Sequence, residues 1–308
     1  MSKEKINADL GFGTKPTQSD TRFINKDGTF NVARKGSSGF IKNFEIYHRL
    51  ISMSWSSFLL VVILSYTVLN FLFALLYYSI GTNHLAGAIQ GTRYEEFMDA
   101  FFFSSQTITT LGYGRIAPVG FLANSIAAFE SMLGLLGFAL ATGLLYGRFS
   151  RPVAKILYSN NALIAPYRGG KGFMFRLVNK RHNQLIESEV DVTLTMNKQK
   201  DGITFRSYEP LKLEIKKINF LALSWTVVHP IDEQSPLHNL TEEDLKKNDA
   251  EFIILLKAFD DTFSQNVYSR NSYKFPEIVW GAKFISMIGT GESSFSLDMS
   301  KINSYEKV

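Results

Sequence analysis

The sequence predicts a protein with a membrane part made of α-helices and a second, all-β part, and three observations lead to this prediction. Only six of the 61 Asp, Glu, Lys and Arg side chains lie between residues 54 and 147 of the 308. That range holds two apolar runs of the roughly 20 residues that a bilayer span requires. From residue 156 onwards, short apolar runs alternate with turn residues, as strands of a β-sandwich do.

The first apolar run, over 58–78, and the second, over 121–145, are predicted to be membrane-spanning helices. No Asp, Glu, Lys or Arg occurs from Leu50 to Thr92, and Glu130 is the one such residue in the second run. A cleaved signal peptide is disfavoured because roughly fifty mostly polar residues precede the first run. A buried helix of a soluble protein is disfavoured because neither run has a polar face.

The charges beside the two spans predict their orientation. The segment between the spans is net acidic, whereas the outer flanks are basic. The basic residues of these flanks are Lys35, Lys42, Arg49, Arg148, Arg151 and Lys155. Because cytoplasmic flanks of spans are enriched in Lys and Arg, both termini are predicted to be cytoplasmic.

The region after the second span is predicted to be a set of short strands. Their predicted positions are 172–178, 190–196, 203–206, 211–215, 220–228, 251–259, 266–270, 278–286 and 293–299. One helical signal interrupts them: Thr241 followed by Asp244 predicts a capping box at the start of a short helix.

Between the spans lies a half-length apolar segment, from Tyr94 to residue 108, followed by the sequence TLGYG at 110–114. A segment of this length predicts a re-entrant element rather than a third span. Backbone at membrane depth must be buried in protein or line a water-filled path. Gly112 and Gly114 adopt positive φ at little cost, so that successive carbonyls, which alternate in a strand, can all face one side.

A column of carbonyls facing one axis replaces the water around a dehydrated cation, and this segment is close to the filter motif of potassium channels. Its residues are Thr110, Leu111, Gly112, Tyr113 and Gly114. The Thr110 hydroxyl adds a ligand at the inner end, and Tyr113 is predicted to point outward into the aromatic residues of the preceding helix. One loop supplies one side of such a cage, so fourfold cyclic symmetry is implied. The alternative is a β-turn in an extracytoplasmic loop.

Several further segments carry a resemblance: Arg22–Val32, Tyr47–Arg49, Trp55, Ala100–Gly114, Arg148–Pro152, Asn161–Ala165, Trp225–Leu237 and Trp280. With them the chain resembles the prokaryotic inward-rectifier potassium channels of the KirBac family over nearly its whole length. The resemblance implies a homotetramer with an amphipathic slide helix, a two-helix pore and an immunoglobulin-like cytoplasmic β-sandwich. It also implies potassium as the permeant ion, barium as a blocking ion and a place in the bacterial inner membrane.

These expectations divide the chain into an N-terminal cytoplasmic segment (1–40), a slide helix (41–54), a pore domain (55–152) and a cytoplasmic domain (153–308). Within the pore domain we expect an outer helix over 56–80, a pore helix over 95–108, a filter at 110–114 and an inner helix over 120–150. The expected function is passive, selective potassium conduction, with no organic cofactor and no nucleic-acid partner. No enzyme is expected, since no Walker A, HExxH or GxSxG motif occurs and the chain has no Cys.

The inner helix is expected to carry the gate. Residues 134, 138, 142 and 146 form a row along one side of a helix. By similarity to the family, Phe138 and Tyr146 fall where the cavity and the bundle crossing narrow, and four copies of a bulky apolar ring close a path by dewetting. Gly134 and Gly143 are candidate hinges. Ordinary packing against lipid or helices is the alternative for each of these residues.

Two polar residues near the filter are candidate supports. Glu130 either faces the cavity or sits behind the filter, hydrogen-bonded to the pore helix, and the second arrangement is favoured by similarity to the family. Gln106 replaces a Glu that many animal relatives pair with a basic residue after the filter. We therefore expect Arg115 to be unpaired and solvent-facing.

The basic residues at the inner membrane face are candidate ligands of an anionic phospholipid or phosphoinositide that regulates gating. They are Arg49, Arg148, Arg151 and Lys155. Anchoring of the spans is the alternative role. By similarity, Glu187 and Asp261 are candidate cation-concentrating residues of the cytoplasmic path, with a solvated surface carboxylate as the alternative.

Two other classes of membrane protein are considered. A two-span receptor or sensor with a ligand-binding β domain leaves the re-entrant segment and its glycines unexplained. A potassium channel gated by voltage or calcium is disfavoured, because no Arg-repeat helix occurs and the region after the spans is rich in strands.

Overall fold

The computed structural model describes residues 11–13, 15, 21–32, 46–150, 154–290 and 295–308. They group into two compact units, one within Gly36–Arg151 and one drawn from Met1–Lys35 together with Pro152–Val308. The first unit is helical, and the second, the β unit, consists mainly of strands. Residues 41–45 of the predicted slide helix, with Lys35, Lys42 and Arg151, lie outside the described residues.

The described part of the helical unit contains four α-helices and one small pair of strands. The helices are α1 (Ile46–Ser52), α2 (Trp55–Ile80), α3 (Arg93–Ile108) and α4 (Gly120–Phe149). Strands β1 (Leu85–Ala86) and β2 (Ala117–Pro118) pair in antiparallel fashion, and Thr82–His84 form a 3-10 turn before β1. With 26 and 30 residues, α2 and α4 are long and apolar enough to cross a membrane. Most of their surface is exposed, as expected for a lipid-facing helix and not for the core helix of a soluble protein.

Several hydroxyl groups of the helical unit have hydrogen-bond partners close by in the sequence. The Ser54 hydroxyl accepts a hydrogen bond from the Ser57 backbone N at the start of α2, and Thr92 with Glu95 forms a capping box at the start of α3. Within the spans, the Thr67 hydroxyl donates to a carbonyl one turn earlier, as does the Thr142 hydroxyl. Such bonds let hydroxyl groups enter lipid without an unsatisfied donor.

Small residues allow α2 and α3 to pack closely. Ala74 and Ala100 are fully buried, and the rings of Tyr77 and Phe103 meet edge to face with 4.9 Å between centroids. Close approach through small residues is typical of helix packing in membranes, where the hydrophobic effect contributes little. The re-entrant helix α3 is thereby held against the first span.

The described part of the β unit contains two five-stranded sheets. One has the order β11-β10-β6-β7, with β8 also paired to β6, and the other has the order β12-β4-β5-β3, with β9 also paired to β5. The strands are β3 (Ile156–Tyr158), β4 (Ala162–Tyr167), β5 (Gly170–Asn179), β6 (Leu185–Lys200), β7 (Ile203–Pro210), β8 (Lys217–Phe220), β9 (Ser224–Ile231), β10 (Glu251–Asp260), β11 (Gln265–Lys274) and β12 (Ile278–Trp280). Two further pairs form, β13 (Ala282–Phe284) with β16 (Tyr305–Lys307), and β14 (Ile288–Thr290) with β15 (Phe295–Leu297). Helix α5 (Glu242–Lys247) and 3-10 turns at Phe275–Glu277 and Met299–Asn303 complete the described elements.

The two large sheets face each other across one apolar core. Phe173 of β5 stacks on Phe252 of β10, with 4.1 Å between ring centroids and 11° between planes. Alternate residues of β6 and β9 point into this core, as a strand buried on one face requires. The predicted fold class, two membrane helices followed by a β-sandwich, is confirmed. The capping box of Thr241 and Asp244 is confirmed as well, at the start of α5.

Some strand predictions were wrong, for identifiable reasons. Residues 211–215 form no strand, because Leu211 N donates to Val192 of one sheet and Glu214 N to Val228 of the other, so that no continuous ladder forms. The run at 278–286 is broken at Gly281, which has a φ of 63°. Strand β4 was missed because both of its faces are covered, Ile164 by the main core and Leu163 by a second cluster with Phe284, and this removes any alternation.

The segment 21–32 docks on the β unit far from its own place in the sequence. The buried carboxylate of Glu251 accepts hydrogen bonds from the backbone N of Phe23 and of Ile24. The Ser272 hydroxyl donates to the carbonyl of Ile24 at 2.7 Å, and Arg22 pairs with Glu277 at 2.5 Å. Backbone donors of the N-terminal segment thus satisfy the buried carboxylate of Glu251.

His229 of β9 is held in its neutral form by its partners. Its ring Nδ1 lies 2.7 Å from the carbonyl of Lys212, an acceptor, so Nδ1 carries the proton. Its Nε2 then accepts from the Ser235 hydroxyl, also at 2.7 Å. Burial lowers the pKa of His229 from its ordinary value of 6.5, against smaller opposing effects of the Lys212 carbonyl and the Asp232 charge.

We predict that the β9 region loses stability in acid because of His229. Since the unfolded chain binds this proton more readily than the folded chain, the contribution is complete above pH 6.5 and is lost as the pH falls. Amide hydrogen exchange of the β9 peptide, corrected for intrinsic rates, should therefore accelerate between about pH 7.5 and about pH 5.5. His229→Asn should remove most of this dependence, and the exposed His238→Gln should leave it unchanged. Equal dependence in wild type and His229→Asn would contradict the prediction.

Candidate functional site

The segment 110–114 follows α3 directly and has an unusual backbone. Thr110, Gly112 and Gly114 have φ values of 57°, 54° and 83°, whereas Leu111 and Tyr113 have negative φ. Every second residue is therefore in the left-handed region. This alternation turns successive carbonyls towards the same side, where an extended strand would point them in opposite directions.

Thr110 was not predicted to adopt this conformation. A β-branched residue with positive φ is an outlier, and such strain costs roughly 1–3 kcal/mol where it occurs. The Thr110 backbone N donates to the carbonyl of Thr107 at 3.0 Å, which holds the turn in place. The sequence signal for it was the two-residue spacing that Thr110 shares with the two glycines.

Gln106 supports the start of this segment through its backbone. Its carbonyl accepts hydrogen bonds from the backbone N of Leu111 at 2.8 Å and of Gly112 at 3.3 Å. Two donors of the irregular segment are satisfied in this way at the end of α3. The contact needs no particular side chain at position 106, which is consistent with Gln standing there.

The opposite side of the segment is open within a single chain. Leu111 is 56% exposed and Tyr113 is 74% exposed. A Cβ added to Gly112 or Gly114 would have no other heavy atom within 4 Å. Within the described residues, the preceding helix of the same chain therefore leaves the Tyr113 ring largely exposed.

Glu130 lies on the closed side, fully buried between three helices. Its Oε1 accepts a hydrogen bond from the Ser104 hydroxyl of α3 at 2.5 Å, and its Oε2 accepts one from the Tyr77 hydroxyl of α2 at 2.7 Å. The Ser104 hydroxyl also lies 3.2 Å from Oδ1 of Asn70. Two arrangements were expected for Glu130. The structure has the second, in which Glu130 lies behind the 110–114 segment and is hydrogen-bonded to α3.

The expectation that Arg115 is unpaired was wrong. Its guanidinium forms an ion pair with Asp99 of α3, whose side chain is buried. The carboxylate that pairs with Arg115 lies two turns nearer the start of α3 than position 106. Sequence inspection missed this pair because Asp99 and Arg115 are 16 residues apart and lie on different elements.

The residues expected at the gate lie on α4. Phe138 and Tyr146 are each 75% exposed in the single chain and so face away from its other helices. The two glycines differ sharply in their surroundings. A Cβ added to Gly134 would lie 1.9 Å from the carbonyl oxygen of Ile108, whereas one added to Gly143 would have no heavy atom of the described chain within 4 Å.

The Arg148 guanidinium has protein partners on α1, in the turn after it and at the start of α2. Its guanidinium donates to the carbonyls of Leu50 and Ile51 at 2.6 and 3.0 Å, and to that of Met53 at 2.7 Å. The same group lies over the rings of Trp55 and Phe58, at 4.7 and 4.6 Å from their centroids. It satisfies the last carbonyls of α1 and joins α4 to the turn between α1 and α2. These contacts give Arg148 a structural role where α4 meets α1.

The other charged candidates lie at the surface of their units. Arg49 is exposed on α1, and Lys155 is exposed in the β unit. Glu187 has a φ of 49° in β6 and pairs with Lys217 at 3.1 Å, while Asp261 is exposed in the turn after β10. Within the described parts of the chain, no group of three or more acidic or His side chains is placed to hold a metal ion.

Comparison with known proteins gives one consistent family. Residues 24–152 match the inward rectifier potassium channel transmembrane domain, and residues 156–308 match the C-terminal domain of the same channels. The inward rectifier potassium channel Kirbac3.1 of Paramagnetospirillum magnetotacticum is 37% identical over 295 residues, which cover 94% of this chain and 98% of that protein.

Animal proteins are similar over the same region. The ATP-sensitive inward rectifier potassium channel 8 of Homo sapiens is 26% identical over 316 residues, covering 93% of this chain and 74% of that one. The G protein-activated inward rectifier potassium channel 1 of Homo sapiens is 25% identical over 311 residues, covering 94% and 62%.

The surroundings of the two glycines of α4 lead to a prediction. Gly134→Ala should displace the end of α3 and destabilise the protein by about 1–3 kcal/mol, the usual effect of overpacking. Gly143→Ala should leave stability unchanged or raise it by up to about 1 kcal/mol, because Ala is the better helix former. The measurement is the thermal or denaturant midpoint of the detergent-solubilised protein. A midpoint for Gly134→Ala equal to that of Gly143→Ala would refute the packing role.

Proposed function

The chain belongs to the inward rectifier potassium channel family, and on that premise we propose that Thr110–Gly114 form the selectivity filter of a homotetramer. The channel is a membrane protein and not an enzyme, and potassium is its permeant ion. The observation that supports the filter proposal is the alternation of left-handed residues at 110, 112 and 114. It aligns carbonyls as a dehydrated potassium ion requires.

The open side of the segment supports the tetramer. One chain supplies one column of carbonyls, and the exposure of Leu111 and Tyr113 leaves an irregular apolar segment without a cover. Backbone and aromatic groups at membrane depth need protein on that side. Four copies around an axis supply it, with Tyr113 of each chain against its neighbour. The receptor or sensor alternative has no such use for the segment, and nothing in the family supports it.

Glu130 and Gln106 are proposed as supports of the filter. Gln106 holds the start of the segment through its carbonyl, and Glu130 ties α3 to α2 and α4 through Ser104 and Tyr77. A buried carboxylate with well-placed donors is a rigid junction, because breaking either bond leaves a costly unpaired group. The filter is thereby held in position from behind.

The gate is proposed at Phe138 and Tyr146 of α4. Both rings are 75% exposed in the single chain, which suits residues that meet around a central axis. Four copies of either ring would narrow the path and exclude water. Gly143, with open space around it, is the more suitable hinge, whereas Gly134 is needed for packing against Ile108.

Location and lipid regulation follow from the basic flanks. We place both termini in the cytoplasm and the channel in a bacterial inner membrane, as the excess of Lys and Arg indicates.

Arg49, Lys155 and Arg151 remain as proposed ligands of an anionic phospholipid that inhibits conduction. We leave Arg148 out of this set because its Nη1 and Nη2 already donate to three backbone carbonyls. Glu187 and Asp261 are proposed, by similarity alone, to attract cations on the cytoplasmic side.

The filter is tested by ion flux. Purified protein in liposomes should take up rubidium in a manner blocked by barium. Gly112→Ala should reduce this uptake by more than about tenfold, because Ala is strained at positive φ and its methyl group disturbs the carbonyl column. Gly137→Ala is the matched control, since its Cβ also meets no other atom within 4 Å but its φ is not left-handed. Barium-sensitive uptake that persists unchanged in Gly112→Ala would sink the filter assignment.

The lipid proposal is tested in the same liposomes with and without phosphoinositide. Phosphoinositide should reduce rubidium uptake by the wild type and reduce it less in Arg49→Gln with Lys155→Gln, because each basic residue contributes about 1 kcal/mol of attraction. Lys171→Gln, which removes an exposed charge elsewhere in the β unit, should behave as wild type. Equal uptake with and without the lipid in the wild type would end the proposal.

A further inference from the structure

Asp99 is a buried carboxylate outside the set of filter supports proposed above. It lies in the second turn of α3, and its side chain is 8% exposed. A carboxylate withdrawn from water needs a donor for each oxygen. Its Oδ1 accepts from the Arg115 guanidinium, and its Oδ2 accepts from the backbone N of Ile89 at 2.8 Å. Asp99 therefore connects the chain after the filter with the loop after β1.

The chain leaving the filter is fixed at Arg115 by backbone contacts as well. The Arg115 carbonyl fits against Gly87, where an added Cβ would lie only 1.9 Å from the carbonyl oxygen. Ile116 is buried in the core of the helical unit, and β2 pairs with β1 directly afterwards. The Asp99–Arg115 pair belongs to this attachment and is its charged component.

The filter thus lies between two attachments. At its start, the Gln106 carbonyl binds the backbone of Leu111 and Gly112, and at its end Asp99 binds the side chain of Arg115. Between them, Gly112 and Gly114 have open space around them in the single chain. A shift at either attachment is therefore passed to the carbonyls with little resistance from the chain itself.

We propose that Asp99 is a positioning residue for the outer end of the filter and contributes to its selectivity among cations. The inference rests on the proposed filter at Thr110–Gly114. Through Arg115, Asp99 sets where the carbonyl of Gly114 ends the column. It also neutralises a guanidinium that follows the filter directly and that would otherwise repel cations at the outer mouth. The loss of Asp99 moves the column and leaves Arg115 unpaired.

The test compares Asp99→Asn, Arg115→Gln and the double variant with a matched control. The control is Glu96→Gln, which removes an acidic charge one turn earlier on α3 from a residue that forms no ion pair within the described residues. Assembly is checked by size-exclusion chromatography. Selectivity is measured as the permeability of rubidium relative to sodium in planar bilayers, from reversal potentials.

Each single variant should lose about tenfold in the rubidium-to-sodium ratio, a factor that corresponds to about 1.4 kcal/mol. The double variant should lose no more than the single ones, because the two groups act as one pair. Glu96→Gln should keep the wild-type ratio. Should Asp99→Asn fail to assemble, Arg115→Gln carries the test, since the Arg115 side chain is 55% exposed.

Three results would overturn the inference: wild-type selectivity in assembled Asp99→Asn and Arg115→Gln, equal loss in Glu96→Gln, or additive losses in the double variant. Equal loss in Glu96→Gln would mean that the general charge of the outer mouth matters rather than the pair. Failure of the filter itself is distinguished by the wild type. If the wild type shows no preference for rubidium, or if Gly112→Ala retains it, the filter assignment fails irrespective of Asp99.

Discussion

A charged side chain removed from water needs partners supplied by the protein, and this constraint organises the helical unit. Asp99 joins α3 to the chain on either side of it, Glu130 joins α4 to α2 and α3, and Arg148 joins α4 to the end of α1. Each satisfies donors or acceptors from more than one element. Three side chains therefore connect the described elements of the membrane part with one another.

The filter proposed at Thr110–Gly114 depends on these junctions because the backbone there is strained at Thr110. Thr110 has positive φ without the freedom of a glycine, and the two glycines after it make few contacts within the chain. Such a backbone persists only where its surroundings hold it. Here Gln106 binds it from the preceding helix and Arg115 anchors the chain that follows. The exposed side of the 110–114 segment supports the proposal that several copies of the chain surround one axis.

The β unit solves a similar problem by different means. Glu251 is fully buried in β10, and its carboxylate is satisfied by backbone donors of the N-terminal segment at Phe23 and Ile24. The β unit therefore includes residues that precede the membrane spans in the sequence as well as residues that follow them. His229 shows the same rule for a neutral group, since its two ring nitrogens are satisfied by the Lys212 carbonyl and the Ser235 hydroxyl.

The sequence by itself determined the features that depend on neighbouring residues. The two spans, the TLGYG segment, the β-sandwich and the capping box at Thr241 are written in runs and spacings of a few residues, and each is present in the structure. Strand β4 was not predicted, because burial on both faces removes the alternation of apolar and polar residues by which a strand is recognised. The positive φ of Thr110 was not predicted, because in a sequence only glycines indicate such a backbone directly.

Tertiary structure alone decided which charges are paired and which glycine is irreplaceable. Arg148 has the sequence context of a lipid ligand, yet its partners are carbonyls 95 to 98 residues earlier. Arg115 likewise pairs with Asp99, and Gly134 lies against the carbonyl of Ile108, although in each case the two residues are distant in the sequence. Contacts between distant segments depend on how the helices pack in space, and local sequence patterns do not indicate that packing.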